Sequence, residues 1–230
     1  MPGHNKLIGY GIVIVILLIL VIFAFYFLKA EFFAPQPGVE AVKGQELREY
    51  EGVRLSSVAD FRENSIKGPQ HIDIGSYRLT IDSMAGPDRK YSYADVVDNH
   101  THYRKVATLN CVEGWSMTLL WDGIKIKDLL AEAGYNPAAK TITFYCYDGY
   151  STAFPLSYVL DNDIMIAYAM NNVTIPPERG YPFQLVAEGK WGYKWAKWIT
   201  RIELSDSLPT GYWESRGYSR DGDLNRSFLS

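Results

Sequence analysis

The sequence of 230 residues contains only two cysteines and four histidines. Two cysteines are too few for a disulfide-rich scaffold or for a zinc site with four thiolate ligands. Positive charge is not in excess, since 23 basic residues stand against 26 acidic ones, and this disfavours a protein that coats nucleic acid. A composition with 47% hydrophobic and 21% charged residues excludes a disordered chain.

Several familiar catalytic motifs are absent from the sequence. It has no phosphate-binding Gly-Lys-Ser/Thr loop, no Gly-x-Gly-x-x-Gly, no Gly-x-Ser-x-Gly and no His-Glu-x-x-His. His100 and His102 lie close together in a polar stretch, but two ligands are too few for a metal site. We therefore expect these histidines to lie in a solvated loop.

A run of 22 residues without charge extends from Leu7 to Leu28. As a helix it would be about 33 Å long, enough to cross the roughly 30 Å hydrocarbon core of a bilayer. A buried helix of a soluble protein and a cleaved signal peptide are alternatives. We favour an uncleaved transmembrane anchor over 7–28, preceded by a short tail over 1–6.

A stretch with proline and glycine follows the anchor, and we assign residues 29–59 to a linker and 60–230 to the folded domain. Without its first 29 residues the chain has 21 basic and 26 acidic groups, a net charge of -5. Alternating and β-branched segments predict many strands, and the few helical segments are short. This pattern predicts an α+β domain dominated by mixed sheet.

Several elements can be placed individually. A strand is predicted around 77–81, a helix capped by Ser92 that runs to Val97, and a turn at Asp122-Gly123 before a helix over 125–133 that stops at Gly134. Further strands are predicted at 103–110, 141–146, 164–170, 182–187 and 198–204, with a helical turn at 155–160. We expect the tail from Pro209 to wrap the surface of the domain.

Two segments carry residues suited to chemistry. Cys111 ends a predicted strand, where a sulfur can face a cleft as a metal ligand or nucleophile, although an isolated cysteine is more often a small buried hydrophobe. The segment KWGYKWAKWI at 190–199 interleaves three lysines with three tryptophans. It is compatible with nucleic-acid stacking, a membrane interface, a pocket for an anionic aromatic cofactor, or plain packing.

Both segments occur, in this order, in one known family. With FRENSIKGPQ at 61–70, LNCVEGWSM at 109–117 and PPERGYPFQLV at 176–186, the chain resembles the molybdopterin-binding domain of the sulfite oxidase superfamily. Within it, the sequence is most similar to the branch of bacterial periplasmic protein-methionine-sulfoxide reductase catalytic subunits. The resemblance extends from about Asp60 to the C-terminus and implies a sheet-rich domain that binds a molybdenum–molybdopterin cofactor.

The resemblance also implies site residues. Cys111 matches the cysteine that binds molybdenum, where a soft thiolate suits a soft redox metal, and Glu113 matches an acid that faces the metal and gates protons. The positions that match pterin contacts are Asn64, Ser65, Lys67, Cys146, Arg179, Gln184, Lys194, Trp195, Ala196 and Lys197. Cys146, Arg179 and Gln184 depart from the threonine, asparagine and arginine of relatives.

The departures bear on function. Glu113 places a negative charge where sulfite-oxidising relatives carry basic residues, and a carboxylate repels sulfite. The resemblance therefore implies a reductase of S- or N-oxides at the cell membrane, with its domain on the extracytoplasmic face and electrons from a separate membrane partner. Alternatives are a sulfite-oxidising enzyme, a cofactor-free binding module on a membrane stalk, or an RNA- or lipid-binding domain, which the acidic balance disfavours.

Overall fold

The computed structural model describes residues 45–230. The predicted tail and anchor (1–6 and 7–28) and the first part of the predicted linker (29–44) lie outside the described residues. Among residues 45–230, no helix is both long enough and apolar enough to cross a bilayer.

Short strands dominate the described chain, and the helices are short, as the α+β prediction requires. The strands are β1 (Glu49–Tyr50), β2 (Val53–Arg54), β3 (Leu79–Asp82), β4 (Arg89–Tyr91), β5 (Tyr103–Asn110), β6 (Ser116–Lys125), β7 (Thr141–Cys146), β8 (Ser151–Pro155), β9 (Met165–Met170), β10 (Val173–Thr174), β11 (Gln184–Val186) and β12 (Ile199–Ser205). The α-helices are α1 (Tyr93–Asp98), α2 (Ile126–Ala133) and α3 (Leu156–Asp161).

Two five-stranded sheets form the body of the domain. In the first, the order is β10-β9-β6-β5, and β11 also pairs with β9. In the second, the order is β4-β3-β12-β7-β8, and β12 pairs with β3 in parallel while its other partner, β7, is antiparallel. One continuous apolar core includes Trp121 and Ile166 from the first sheet and Phe144 and Ile202 from the second. The expectation of mixed sheet is confirmed.

Local sequence signals account for several elements. Ser92 caps α1 through its Oγ, which accepts from the N–H of Asp95 at 3.1 Å, while the Asp95 carboxylate accepts from the N–H of Ser92 at 2.8 Å. These reciprocal bonds satisfy two backbone donors that the helix itself leaves free. Helix α2 ends at Gly134, as predicted, and the strands at 103–110 and 141–146 have the predicted bounds.

The predicted turn at Asp122-Gly123 is wrong. β6 continues through both residues, and its register against β9 shifts between them. A Cβ on Gly123 would lie 2.2 Å from the carbonyl oxygen of Ile166, so glycine permits a close approach of two strands here. The same residue type that favours a turn therefore marks an irregularity within a strand.

Residues 45–59, which the sequence assigns to the linker, pack onto the domain. Leu55 is buried, and the N–H of Ser56 donates to the carbonyl of Thr118 in β6 at 2.8 Å. The Glu46 carboxylate accepts from the N–H of Val58 at 2.7 Å. The folded unit thus begins earlier in the chain than Asp60.

Candidate functional site

A cavity of about 300 Å³ opens beside the end of β5. Its lining comes from five stretches of chain, within residues 61–66, 109–115, 148–150, 179–198 and 213–218. All four motifs that carry the family resemblance contribute residues to the lining of this cavity, and one of them, KWGYKWAKWI, supplies five. Segments far apart in sequence therefore form one site.

Cys111 lies on the cavity wall, in the loop between β5 and β6. Its N–H donates to the Trp115 carbonyl at 2.8 Å, which closes the loop, and the Asn64 amide donates to its Sγ at 3.4 Å. Burial raises the pKa of the Cys111 thiol, whereas the N–H of Glu113 and the Asn64 amide oppose that rise by stabilising the thiolate. The sulfur is thus accessible to a bound group and already has donors suited to a thiolate.

Glu113 also lines the cavity, two residues after Cys111. The Trp115 indole donates to its Oε2 at 3.1 Å, and the ring of Trp115 packs edge-on against Phe61 at 5.8 Å between centroids. The carboxylate is therefore held at the edge of the cavity by a neighbour from its own loop. The charge of this carboxylate adds to the rise in the pKa of the Cys111 thiol.

Three side chains of the lining carry buried polar atoms without a hydrogen-bond partner among residues 45–230: Ser65 Oγ, Arg179 Nη1, and both amide atoms of Gln184. Burial lowers the pKa of Arg179. Buried polar groups in folded proteins are almost always satisfied, so these atoms indicate a polar ligand. Molybdopterin, with its many donors and acceptors and a phosphate, fits this set.

Of the predicted lysines Lys67 and Lys197, Lys67 is not part of the lining of the cavity. Lys197 lines it and donates to Glu63 at 3.2 Å and to the Asn64 carbonyl at 3.0 Å. Burial lowers the pKa of Lys197, and the charge of Glu63 opposes that shift. The Lys67 ammonium lies near Gly149, where a Cβ would be 3.4 Å from it.

Of the remaining predicted contacts, one lines the cavity and three, Cys146, Lys194 and Ala196, do not. Trp195 lines it, although its indole donates away to the Lys190 carbonyl at 3.1 Å. Cys146 and Ala196 are buried outside the lining, and burial raises the pKa of Cys146 well above its usual range. These two residues can support the site but do not face it.

Lys194 differs most from its predicted role. Its ammonium is buried and donates to the Ala153 carbonyl, to Glu214 Oε1 and to the Arg220 carbonyl, at 2.7, 2.7 and 3.1 Å. With its donors committed to the protein, this lysine has none left for a phosphate. That Lys194 contacts the pterin stays a prediction, and the tail supplies for it a carboxylate that the motif alone did not reveal.

The sequence reasoning missed several lining residues, including Arg62, Asp148, Tyr150, Trp213 and Tyr218. Asp148 is buried, and burial raises its pKa although the N–H of Tyr150 and the charge of Lys197 oppose the rise. Its position directly after β7, two residues beyond Cys146, was the available signal. Trp213 and Tyr218 belong to the tail, which was expected only to wrap the surface.

The two clustered histidines have structural partners. His100 contacts the Val96 carbonyl at 3.0 Å and the Glu132 carboxylate at 2.8 Å, and His102 contacts the Val97 carbonyl at 2.6 Å. No group of three His, Cys, Asp or Glu side chains suited to a metal occurs between residues 45 and 230. A metal at the cavity would therefore depend on Cys111 together with ligands from a cofactor.

Comparison with known proteins identifies a family and relatives. Residues 66–213 match the family model described as the oxidoreductase molybdopterin binding domain. The chain is 28% identical over 156 residues to the uncharacterized oxidoreductase YuiH of Bacillus subtilis, covering 67% of this chain and 78% of that protein. It is 29% identical over 150 residues to the putative protein-methionine-sulfoxide reductase subunit YedZ1 of Azospira oryzae, covering 65% of this chain and 57% of that protein.

A solved structure shows the same fold. The sulfane dehydrogenase SoxCD from Paracoccus pantotrophus superposes with a TM-score of 0.62 at 21% sequence identity. The match covers 80% of this chain and 52% of that one. The chain thus spans little more than half of two of these three proteins.

Proposed function

The chain belongs to the oxidoreductase molybdopterin binding domain family, and from this membership we propose a membrane-anchored molybdenum enzyme that reduces an S- or N-oxide. The family, the molybdopterin cofactor and the oxidoreductase class predicted from the motifs are confirmed by the match. The metal ligand, the substrate, the electron partner and the membrane location belong to the proposal.

The observation that carries the proposal is the position of Cys111. Its sulfur lies in a cavity whose lining contains buried polar atoms without partners. The Asn64 amide and the Glu113 N–H both donate to the sulfur. A cysteine presented in this way suits a thiolate ligand to molybdenum, which supplies the oxygen-atom and two-electron chemistry when bound. In this proposal the protein binds and orients the cofactor and controls access of protons and substrate.

Five predicted residues of the lining would hold the pterin, and we call them the polar wall: Asn64, Ser65, Arg179, Gln184 and Lys197. Ser65 and Gln184 offer a hydroxyl and an amide without internal partners. Arg179 and Lys197 offer positive charge, which suits the phosphate of the cofactor. Asn64 connects this wall to Cys111 through its amide.

Glu113 would act on protons. Reduction of an S- or N-oxide consumes two protons and two electrons and releases the oxygen as water. A carboxylate at the edge of the cavity can pass a proton to a departing oxygen, and such groups contribute about 10²–10⁴-fold to rate. The same negative charge disfavours an anionic substrate such as sulfite.

Membrane attachment rests on the uncharged run at 7–28. We propose a single-pass protein of the cell membrane with its domain on the extracytoplasmic face, and electrons from a membrane partner. No nucleic acid is a partner in this proposal, since the charge balance remains acidic.

One observation favours a second function. Arg62 and Arg179 both line the cavity, and an arginine guanidinium can bind an oxyanion through two parallel hydrogen bonds. If one of them faces substrate instead of cofactor, sulfite becomes acceptable and turnover would run toward oxidation. Sulfite is therefore a required member of the substrate panel.

The test uses the full chain, produced in a host that makes molybdenum cofactor and purified in detergent. Molybdenum and pterin are quantified in the wild type, in Cys111→Ser and in Ser116→Ala, a control at an exposed residue beyond the same loop. We expect molybdenum near one equivalent in all three proteins, and one sulfur ligand fewer on molybdenum in Cys111→Ser by X-ray absorption, because the cofactor supplies the other sulfur ligands. Sulfoxides and N-oxides are assayed with a reduced dye, and sulfite with an oxidised one.

Three results would count against the proposal. An unchanged number of sulfur ligands on molybdenum in Cys111→Ser would exclude this ligand. Native protein without pterin would instead support the cofactor-free binding module. Turnover of sulfite alone would favour the second function.

A further inference from the structure

The C-terminal strap, residues 209–230, is fixed to the wall of the cavity. Glu214 of the strap forms a buried ion pair with Lys194. The Lys194 side chain is 1% exposed and the Glu214 side chain is 2% exposed. The Lys194 ammonium also donates to the Arg220 carbonyl at 3.1 Å, and the Tyr193 hydroxyl donates to the Ser219 carbonyl at 2.6 Å. The strap is therefore held at Glu214 and again at Ser219 and Arg220.

Through these bonds the strap places two aromatic rings in the cavity. Trp213 and Tyr218 both line it and are half-buried. Their ring centroids are 5.1 Å apart, and Tyr218 lies 5.0 Å from Tyr193, another lining residue. Tyr193, Trp213 and Tyr218 together form what we call the aromatic wall.

The aromatic wall begins beside Cys111. A Cβ on Gly192 would lie 3.4 Å from the Cys111 Cα and 3.2 Å from the Asn110 carbonyl oxygen, so the backbone before Tyr193 runs directly against the cysteine. From Tyr193 the wall continues outward through Tyr218 to Trp213. A group held at the Cys111 sulfur is thus close to the inner end of the wall.

The aromatic wall and the polar wall differ in chemistry. Ser65, Arg179 and Gln184 carry the unpartnered polar atoms. The aromatic wall carries no charge, its Tyr193 hydroxyl is already bonded, and burial raises the pKa of Tyr193, so this residue stays neutral. A pterin with a phosphate suits the first wall, and an apolar group suits the second.

Most of the strap lies outside the region that the family model matches. The family match ends at residue 213, so Tyr218, Glu214 and the bonds that hold them lie beyond the matched region. A wall built from that segment can differ among relatives that share the cofactor site. This is where substrate preference can change without a change in cofactor binding.

We propose that the aromatic wall binds the organic substituent of the substrate and makes the enzyme prefer S- or N-oxides with an aromatic or bulky apolar group. This rests on the proposed function. In the reaction the S–O or N–O bond breaks, two electrons from the external donor reduce sulfur or nitrogen, and the oxygen leaves as water with two protons. The wall changes none of these steps and acts on substrate affinity.

The test compares methyl phenyl sulfoxide with dimethyl sulfoxide in the molybdenum-loaded full chain, with reduced benzyl viologen as electron donor. Trp213→Leu and Tyr218→Leu are the test variants. Phe228→Leu is the control, because its ring packs on Tyr218 at 5.8 Å without lining the cavity. Molybdenum and pterin are quantified in every preparation.

We expect each test variant to raise the KM for methyl phenyl sulfoxide about tenfold, the size of one lost aromatic contact, and to change the KM for dimethyl sulfoxide less than about twofold. Equal changes for both substrates would overturn the proposal. Loss of pterin from Trp213→Leu would also overturn it, because the wall would then belong to the cofactor.

A binding assay separates this inference from the proposed function. Quenching of tryptophan fluorescence by methyl phenyl sulfone, which the enzyme would not need to reduce, measures the aromatic wall directly. If the wild type reduces neither sulfoxide, the proposed function fails, yet weaker sulfone binding in Trp213→Leu and Tyr218→Leu would still support the wall. Equal binding in the wild type and both variants would refute it.

Discussion

The buried ion pair between Lys194 and Glu214 makes a sharp prediction about stability. Both side chains are almost fully buried, and the Lys194 ammonium has two backbone carbonyls as its other partners. Replacing Glu214 with Gln keeps the size of the side chain but removes the charge that balances the ammonium. An uncompensated buried charge costs about 3–5 kcal/mol, a large part of the total stability of a domain.

The pH dependence of this variant has a defined sign. Burial lowers the pKa of Lys194 and the charge of Glu214 opposes that shift, so Glu214→Gln lowers the lysine pKa further. The folded variant then binds fewer protons than the unfolded chain, whose lysine keeps its ordinary pKa. Stability therefore rises with pH in that interval, and the deficit of Glu214→Gln should shrink as pH increases from 7 toward 10.

The measurement is urea denaturation of the full chain in detergent, followed by tryptophan fluorescence at several pH values. Asp221→Asn is the matched control in the same segment, since its pair with Arg226 is exposed by 56% and 69% and should contribute under about 0.5 kcal/mol. The double variant Lys194→Met with Glu214→Leu should recover most of the loss. A deficit below about 1 kcal/mol for Glu214→Gln at pH 7 would refute the reasoning.

Three further predictions concern other parts of the domain. Gly123→Ala should destabilise the domain by more than about 3 kcal/mol in the same urea assay, because its Cβ would overlap the Ile166 carbonyl; a loss near 1 kcal/mol would contradict this. Burial raises the pKa of Tyr181 to about 12, so the stability that Tyr181 contributes is complete below pH 10 and is lost toward pH 12. The free energy of unfolding of Tyr181→Phe should therefore fall less than that of the wild type between pH 10 and pH 12. Equal falls in the two proteins would contradict this. Glu113→Gln should lower the kcat for sulfoxide reduction about 10²-fold at unchanged molybdenum content. A kcat equal to that of the wild type would show that Glu113 does not transfer protons in the reaction.

Local physical rules predicted the elements whose causes are local. Ser92 begins α1 because its side chain satisfies a nearby N–H, and Gly134 ends α2. The β-branched and aromatic run at 141–146 forms a strand because two faces of it are buried. Each of these depends on residues within one element, so the sequence carries the information directly.

The errors arise where a distant segment decides. Gly123 was interpreted as a turn because glycine favours turns, but the carbonyl of Ile166 in another strand determines that only glycine fits. Residues 45–59 contain nothing that distinguishes a linker from an edge of the domain until Leu55 and Val58 are seen to be buried. Contacts of this kind have no signature in the segment itself.

The candidate site shows the same division within one motif. Its three lysines look equivalent in sequence, yet each has a different partner: Asp223 for Lys190, Glu214 for Lys194, and Glu63 with the Asn64 carbonyl for Lys197. Lys197 alone of the three lines the cavity. The first two lysines bind the strap, whose Trp213 and Tyr218 line the cavity. The three lysines of this motif therefore divide into one that lines the cavity, Lys197, and two that bind the C-terminal strap, Lys190 and Lys194.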